Sequence, residues 1–153
     1  AAGRALFPEV VEALKMRGVK PGEEGHIIYG NMRIMPYIYA MPQALAAADL
    51  VVGRGGALSS AEFTARGLPA ILVPYPHSAE DHQLHNARVL EYHGAARVLL
   101  DYEVSGESLG RLVCELLDAP DRLRRMARAS KELGKPHATE ELVSVVRELG
   151  GHQ

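Results

Sequence analysis

The sequence predicts an α/β fold, a doubly wound and mostly parallel sheet of about five strands with helices on both faces. Short apolar runs alternate along the chain with stretches of helical periodicity, and glycine or proline stands at most junctions. Residues 49–75 place an apolar run, a glycine-rich turn, a helical pattern and a second apolar run in direct succession. A crossover of that kind joins two parallel strands.

The first 48 residues are predicted to form two helices with two short strands between them. Apolar residues from Leu6 to Leu14 recur at helical spacing, and Gly18 closes that segment. Gly30 and Asn31 give a turn signal between two strands. Pro42 fits the first turn of a helix, because proline has no N–H to lose there. The predicted elements are a helix at about 5–17, a loop at 20–25, strands at 26–29 and 33–35, and a helix at 42–48.

The rest of the chain is predicted to supply three strands and five helices. The apolar run that begins at Leu50 stops at Gly53, and the helical pattern after it begins near Leu58 or Ser59 and ends at Gly67. A further strand is predicted at 70–73, then a helix that begins near Glu80 and Asp81, and a last strand at 97–100. Helices follow at 106–117, 121–131 and 139–149. In the 80–92 helix, Leu84, Ala87, Val89 and Leu90 are predicted to lie mostly inward.

Composition indicates one ordinary globular domain. With 153 residues and 47% apolar content, the chain can bury a single core, so we expect one domain over residues 1–153 with an incomplete amino-terminal edge. The net charge of −2 gives no global attraction to nucleic acid or anionic lipid. The single cysteine, Cys114, lies in a helical pattern, where we expect a buried small hydrophobe. The sequence shows no signal peptide and no apolar run of spanning length, which predicts a cytoplasmic protein.

Three glycines in the turn after the first buried run, Gly53, Gly55 and Gly56, suit the binding of an anion. Without a Cβ they let a ligand approach the backbone, and the helix that follows offers unpaired N–H groups and a partial positive charge. Phosphate fits such a site. The spacing matches neither of the common nucleotide-binding glycine patterns. A tight connection between strand and helix that binds no ligand would show the same glycines.

Glu62 has two interpretations. Ser59 and Glu62 fit the S-x-x-E capping box, in which the glutamate only closes the start of a helix. In a nucleotide site, a carboxylate on the early helix accepts hydrogen bonds from the ribose hydroxyls. Both interpretations stay open on the pattern alone.

The histidines His77, His82 and His85 invite a metal-site interpretation. Their spacing is not one of the usual zinc patterns and the only cysteine lies elsewhere, so we expect neither a metal site nor a cofactor. Binding of a divalent cation stays an open alternative, although the sequence shows no protein site for it.

The stretch GRGGALSSAEFTARGLPAILVPYPHSAEDHQLHNA strongly resembles the donor-binding half of the MurG family of bacterial glycosyltransferases. The resemblance runs from about Tyr37 to the end of the chain and is poor before it. It implies the Rossmann-like carboxyl-terminal half of a type B (GT-B) glycosyltransferase. Such enzymes move N-acetylglucosamine from UDP-GlcNAc to a lipid-linked muramyl pentapeptide in peptidoglycan synthesis, on the inner face of the cell membrane. An amino-terminal half, in cis or in trans, carries the acceptor site and the base, so this chain is expected to be inactive alone.

The resemblance also implies roles for individual residues. The helix start binds the sugar and diphosphate, with Arg54 lending charge, and Glu62 holds the ribose. The backbone of Ile38 holds the uracil edge. His82 and Gln83 fall on a pair of glutamines that reads the sugar hydroxyls, so His82 departs from the family. The family's glycine-serine phosphate loop has no counterpart in the opening AAGRALFP. The implied UDP-GlcNAc residues are Ile38, Arg54, Gly56, Ala57, Leu58, Ser59, Glu62, His82, Gln83 and Asn86.

Two further functions are compatible with these motifs. One is a truncated, non-catalytic paralogue that binds a UDP-sugar or nothing. The other is a relative of the UDP-GlcNAc 2-epimerases, which share the fold. An epimerase needs catalytic carboxylates and histidines that we do not match to this sequence.

Overall fold

The computed structural model describes residues 4–19, 26–78 and 81–151, and the chain divides into two compact units, Ala1–Ala44 and Leu45–Gln153. The predicted loop at 20–25 and Glu80 lie outside the described residues. A single domain over residues 1–153 stays a prediction.

The first unit contains a helix and a two-stranded hairpin. Helix α1 spans Phe7–Lys15 with a proline in its first turn, and the chain turns after it at Gly18, whose φ is 78°. Strands β1 (Ile27–Tyr29) and β2 (Met32–Ile34) pair antiparallel across Gly30, whose φ of 59° favours glycine. Helix α2, Met41–Ala46, begins in this unit and crosses into the second.

The second unit is a three-stranded parallel sheet flanked by helices. The strand order is β3-β4-β5, with Val52 opposite Ile71 and Ile71 opposite Arg97. The predicted α/β class is confirmed, but the five strands form two sheets instead of one. A two-residue turn joins only antiparallel neighbours, so the first two strands pair with each other. The elements are β3 (Val51–Gly53), α3 (Ala57–Arg66), β4 (Ala70–Leu72), α4 (His82–Tyr92), β5 (Ala96–Val98), α5 (Gly106–Leu117), α6 (Pro120–Leu133) and α7 (Ala138–Gly150).

Both faces of the central strand β4 are covered. Ala70 and Leu72 belong to a buried cluster with Phe63 of α3 and Leu90 of α4. Ile71 points the opposite way, into a second cluster built largely from α5 and α6. All three residues of β4 are fully buried, as expected of a central parallel strand with helices on both faces.

Two sequence expectations about burial are wrong. Cys114 is exposed, because the inward side of α5 carries Leu109, Leu112 and Leu116, and Cys114 falls on the other side of the helix. Val89 is also exposed, at 41%. Within the described part of the chain, no helix is both long and apolar enough to cross a membrane.

Candidate functional site

The candidate site lies at the carboxyl ends of the three parallel strands. The chain leaves β3 through the glycine loop at 54–56, leaves β4 through 73–78, and leaves β5 toward a short 3-10 turn at Asp101–Glu103. Since the strands are parallel and adjacent, these three segments emerge at one edge of the sheet. Ligands of open α/β sheets bind at this edge.

Helix α3 presents an uncapped amino terminus to this edge. Its N-cap is Gly56, which is extended (φ −66°, ψ 143°) and has no side chain to cap the helix. Among the described residues, the backbone N–H groups of Ala57, Leu58 and Ser59 have no hydrogen-bond acceptor, and the first N–H bonded within the helix is that of Ser60, to the Gly56 carbonyl. Three free donors and the positive end of the helix dipole can bind an anion.

Gly55 is where the loop packs directly against α4. A Cβ at this position would lie 2.2 Å from the backbone oxygen of Gln83, so only glycine fits. The side-chain Nδ2 of Asn86 donates a hydrogen bond of 3.1 Å to the Gly55 carbonyl. The start of α4 is therefore fixed against the glycine loop, and the candidate residues of both segments lie in one cluster.

Arg54 connects the ends of all three strands. Its Nη1 donates to the Val73 carbonyl at 3.1 Å and to the Asp101 carboxylate at 2.7 Å. Its guanidinium carbon lies 5.7 Å from the centre of the Tyr75 ring. The charge of Arg54 is thus engaged by Asp101, and its predicted contact with a diphosphate stays a prediction.

Asp101 and Tyr75 were missed by the sequence reasoning. Tyr75 lies within the stretch that resembles the MurG family but was given no role, and Asp101 lies outside that stretch, far along the chain from Arg54. One signal was available: Asp101 follows a strand by three residues, and polar residues at that position reach the ligand-binding edge of a parallel sheet.

The structure excludes one of the two interpretations of Glu62, and the ribose-binding role stays a prediction. Helix α3 begins at Ala57, so Ser59 is its third residue and Glu62 its sixth. A capping box needs Ser59 at the N-cap, so the capping interpretation is wrong. Glu62 is exposed and makes no hydrogen bond or ion pair with any residue in the described ranges, which leaves its carboxylate available to a ligand.

Two of the remaining candidates, Gln83 and His82, lie at the start of α4, and the third, Ile38, lies in the first unit. Gln83 lies in the first turn of α4, and its Oε1 accepts a hydrogen bond of 3.0 Å from the backbone N–H of Tyr75. His82 is the first residue of α4 and is exposed. Ile38 is half-buried and belongs to the first unit, so its place at the site stays a prediction. In the part of the chain that the structure describes, no group of three or more His, Cys, Asp or Glu residues could hold a metal ion.

Cavity volume alone does not identify this site. A cavity of about 460 Å³ lies instead beside the amino ends of β3 and β4, where its lining includes Asp49, Leu68 and Pro69. The uncapped helix start lies at the opposite ends of these strands.

Comparison with known proteins identifies relatives that match most of the chain. Residues 10–142 match the glycosyltransferase family 28 C-terminal domain. The UDP-N-acetylglucosamine–N-acetylmuramyl-(pentapeptide) pyrophosphoryl-undecaprenol N-acetylglucosamine transferase of Desulfitobacterium hafniense is 47% identical over 95% of this chain, and the transferase of that name from Moorella thermoacetica is 45% identical over 94%. A crystal structure of Acinetobacter baumannii MurG superposes with a TM-score of 0.67 at 32% identity, over 75% of this chain and 34% of that one.

These matches set the extent of the similarity. The chain spans 38% of the length of either curated relative. The match to the family begins at residue 10, so the similarity extends into the stretch before Tyr37, which the motifs had left out. That part of the sequence-based expectation is corrected.

Proposed function

This chain belongs to the family of glycosyltransferase family 28 C-terminal domains, and we propose that it is the donor-binding half of an N-acetylglucosamine transferase. The donor is UDP-N-acetylglucosamine. The acceptor is the lipid-linked muramyl pentapeptide in the names of its relatives. The observation that carries the proposal is the uncapped start of α3, which stands at the ligand-binding edge of the sheet beside the glycine loop.

The proposal assigns the diphosphate to the free amides of Ala57, Leu58 and Ser59, reached across Gly56, which has no side chain. Glu62 accepts hydrogen bonds from the ribose hydroxyls, one turn further along α3. Its exposure and its lack of a partner in the described residues support this role. A carboxylate offers acceptors only, which suits two hydroxyl donors.

The sugar contacts the start of α4. Gln83 and Asn86 lie one turn apart on that helix, and Asn86 is hydrogen-bonded to the glycine loop. Amide side chains combine donors and acceptors, as sugar hydroxyls require. His82 supplies one further polar group. The contact of the Ile38 backbone with the uracil edge stays a prediction, since Ile38 belongs to the first unit.

The complete reaction needs a second half of the enzyme. Because the chain spans 38% of the length of its relatives, we assign the acceptor site and the catalytic base to an amino-terminal half in cis or in trans. The acceptor is lipid-linked, so this second half works at a membrane surface, and we place the enzyme peripherally on its inner face. A net charge of −2 makes that contact a local one.

Titration calorimetry with nucleotides tests the donor site. UDP should bind the 153-residue chain and should bind more tightly than ADP, because the proposed contacts include the uracil edge. A buffer of low ionic strength keeps the contribution of the helix dipole to binding measurable, because salt screens it. Equal binding of UDP and ADP, or no binding of either at millimolar concentration, would refute the proposed donor.

A further inference from the structure

Asp101 has no role in any of the motifs, yet it pairs with an arginine of the glycine loop. The ion pair joins Asp101 Oδ1 to Arg54 Nη1 at 2.7 Å, and the two side chains are 42% and 51% exposed. Exposed pairs of this kind contribute little to folding stability. A contribution to folding stability therefore does not explain the Asp101–Arg54 ion pair well. The position of the pair at the strand ends suggests a role in the site instead.

The arginine passes the restraint on to the loop after β4. Arg54 Nη1 also donates to the Val73 carbonyl at 3.1 Å, and its guanidinium lies over the Tyr75 ring. A guanidinium fixed by a carboxylate and a carbonyl has one orientation, and an aromatic ring beside it gains a cation–π contact. The contact with the Arg54 guanidinium thus holds the Tyr75 ring in place.

The backbone of Tyr75 in turn sets the direction of the Gln83 amide. The Tyr75 N–H donates to Gln83 Oε1 at 3.0 Å, so the carbonyl side of the amide is engaged by the protein. The Nε2 group, a donor, is the part of Gln83 left to a ligand. A chain of contacts therefore runs from Asp101 through Arg54 and Tyr75 to Gln83.

We infer that Asp101 and Arg54 are positioning residues for sugar recognition: they fix Tyr75 and thereby orient Gln83 so that its Nε2 donates to a sugar oxygen. This inference rests on the proposed function. It also explains why Arg54 is held by Asp101 instead of standing free beside the helix start. The Asp101–Arg54 pair affects the contacts with the sugar of the donor and does not affect those with its nucleoside.

The test compares UDP with UDP-N-acetylglucosamine in Asp101→Ala. Loss of the carboxylate frees Arg54, so the affinity for UDP should stay the same or rise. The affinity for the sugar nucleotide should fall by about threefold or more, because one oriented hydrogen bond is lost. Asp101→Asn, whose amide oxygen still accepts from Arg54, should recover part of the loss.

The matched control is Asp121→Ala, which removes another exposed ion pair, to Arg124 at 2.6 Å. That pair lies at the start of α6, beside the cavity at the amino ends of the strands. Asp121→Ala should change neither affinity. Equal losses of UDP and UDP-N-acetylglucosamine binding in Asp101→Ala, or no loss at all, would overturn the inference.

Hydrogen exchange of the Tyr75 amide tests the contact chain without a ligand. Exchange should be several-fold faster in Asp101→Ala than in wild type, and faster still in Gln83→Ala, which removes the acceptor itself. Unchanged exchange in Asp101→Ala overturns the inference even if UDP binds. Failure of the wild type to bind UDP refutes the proposed function, and the sugar-positioning role with it, whatever the exchange rates are.

Discussion

At the scale of single residues, Glu62 gives the sharpest prediction. Glu62→Gln keeps the size of the side chain but removes a charged acceptor from the two ribose hydroxyls. Hydrogen bonds to charged groups are worth roughly 1.5 to 3 kcal/mol, so the affinity for UDP should fall about tenfold or more. Because Glu62 is the sixth residue of α3 and does not cap it, the melting temperature should barely move. Titration calorimetry and thermal unfolding measure both quantities.

Deoxyuridine diphosphate provides the control for this substitution. It should bind the wild type less well than UDP and lose that disadvantage in Glu62→Gln. A mutant that binds UDP normally, or that still discriminates fully against the deoxyribose, would show that Glu62 has no part in nucleotide binding.

The sequence named Glu62 and Arg54 as candidate site residues but did not predict the contacts that these side chains make or lack. Glu62 was left between two roles because a shift of three residues in the helix start separates a capping box from a free carboxylate. The engagement of Arg54 by Asp101 was not predictable, since it depends on where β5 ends relative to β3. Contacts between residues far apart in sequence require the sheet register, which no local pattern contains.

At the scale of elements, Gly55 makes a prediction about the packing of the glycine loop on α4. Gly55→Ala places a Cβ 2.2 Å from the Gln83 backbone oxygen, and a helix backbone cannot move aside cheaply. The free energy of unfolding should fall by roughly 1 to 3 kcal/mol, as for other overpacked sites. Chemical denaturation measures this change.

Gly110→Ala is the matched control. Gly110 lies inside α5, and a Cβ there meets no atom within 4 Å. In a helix interior the same change should raise stability by roughly 0.5 to 1 kcal/mol. Opposite signs at the two glycines support the close contact at Gly55, whereas a stabilised Gly55→Ala would contradict it.

The predicted and observed helix boundaries agree where glycine or proline marks the end of a helix. Helix α5 occupies the residues at which it was predicted. In the structure Ser105 caps its start, and Pro120 follows its end. Helix α3 ends before Gly67, whose left-handed φ of 66° only glycine adopts readily. The pairing of the strands was harder to predict, since each has only three residues and carries too little pattern to identify its neighbour.

At the scale of the whole molecule, the chain alone is predicted to transfer no sugar. Catalysis requires donor and acceptor to be oriented together, and the chain spans 38% of the length of its relatives. An assay with UDP-N-acetylglucosamine and the lipid-linked acceptor should show no turnover by the 153-residue chain. The full-length Moorella thermoacetica transferase, assayed in parallel, is the positive control. Turnover by this chain alone would contradict the assignment of acceptor site and base to another half.

Binding without transfer would identify the chain as a donor-binding half, and the location of that binding is the central claim. A ¹⁵N-labelled chain titrated with UDP-N-acetylglucosamine reports it residue by residue through amide chemical shifts. The account predicts the largest shifts at Gly55 to Ser59 and at the start of α4, with little change at Asp49 or Leu68 beside the amino-end cavity. The largest shifts at that cavity, or none at the α3 start at millimolar ligand, would contradict it.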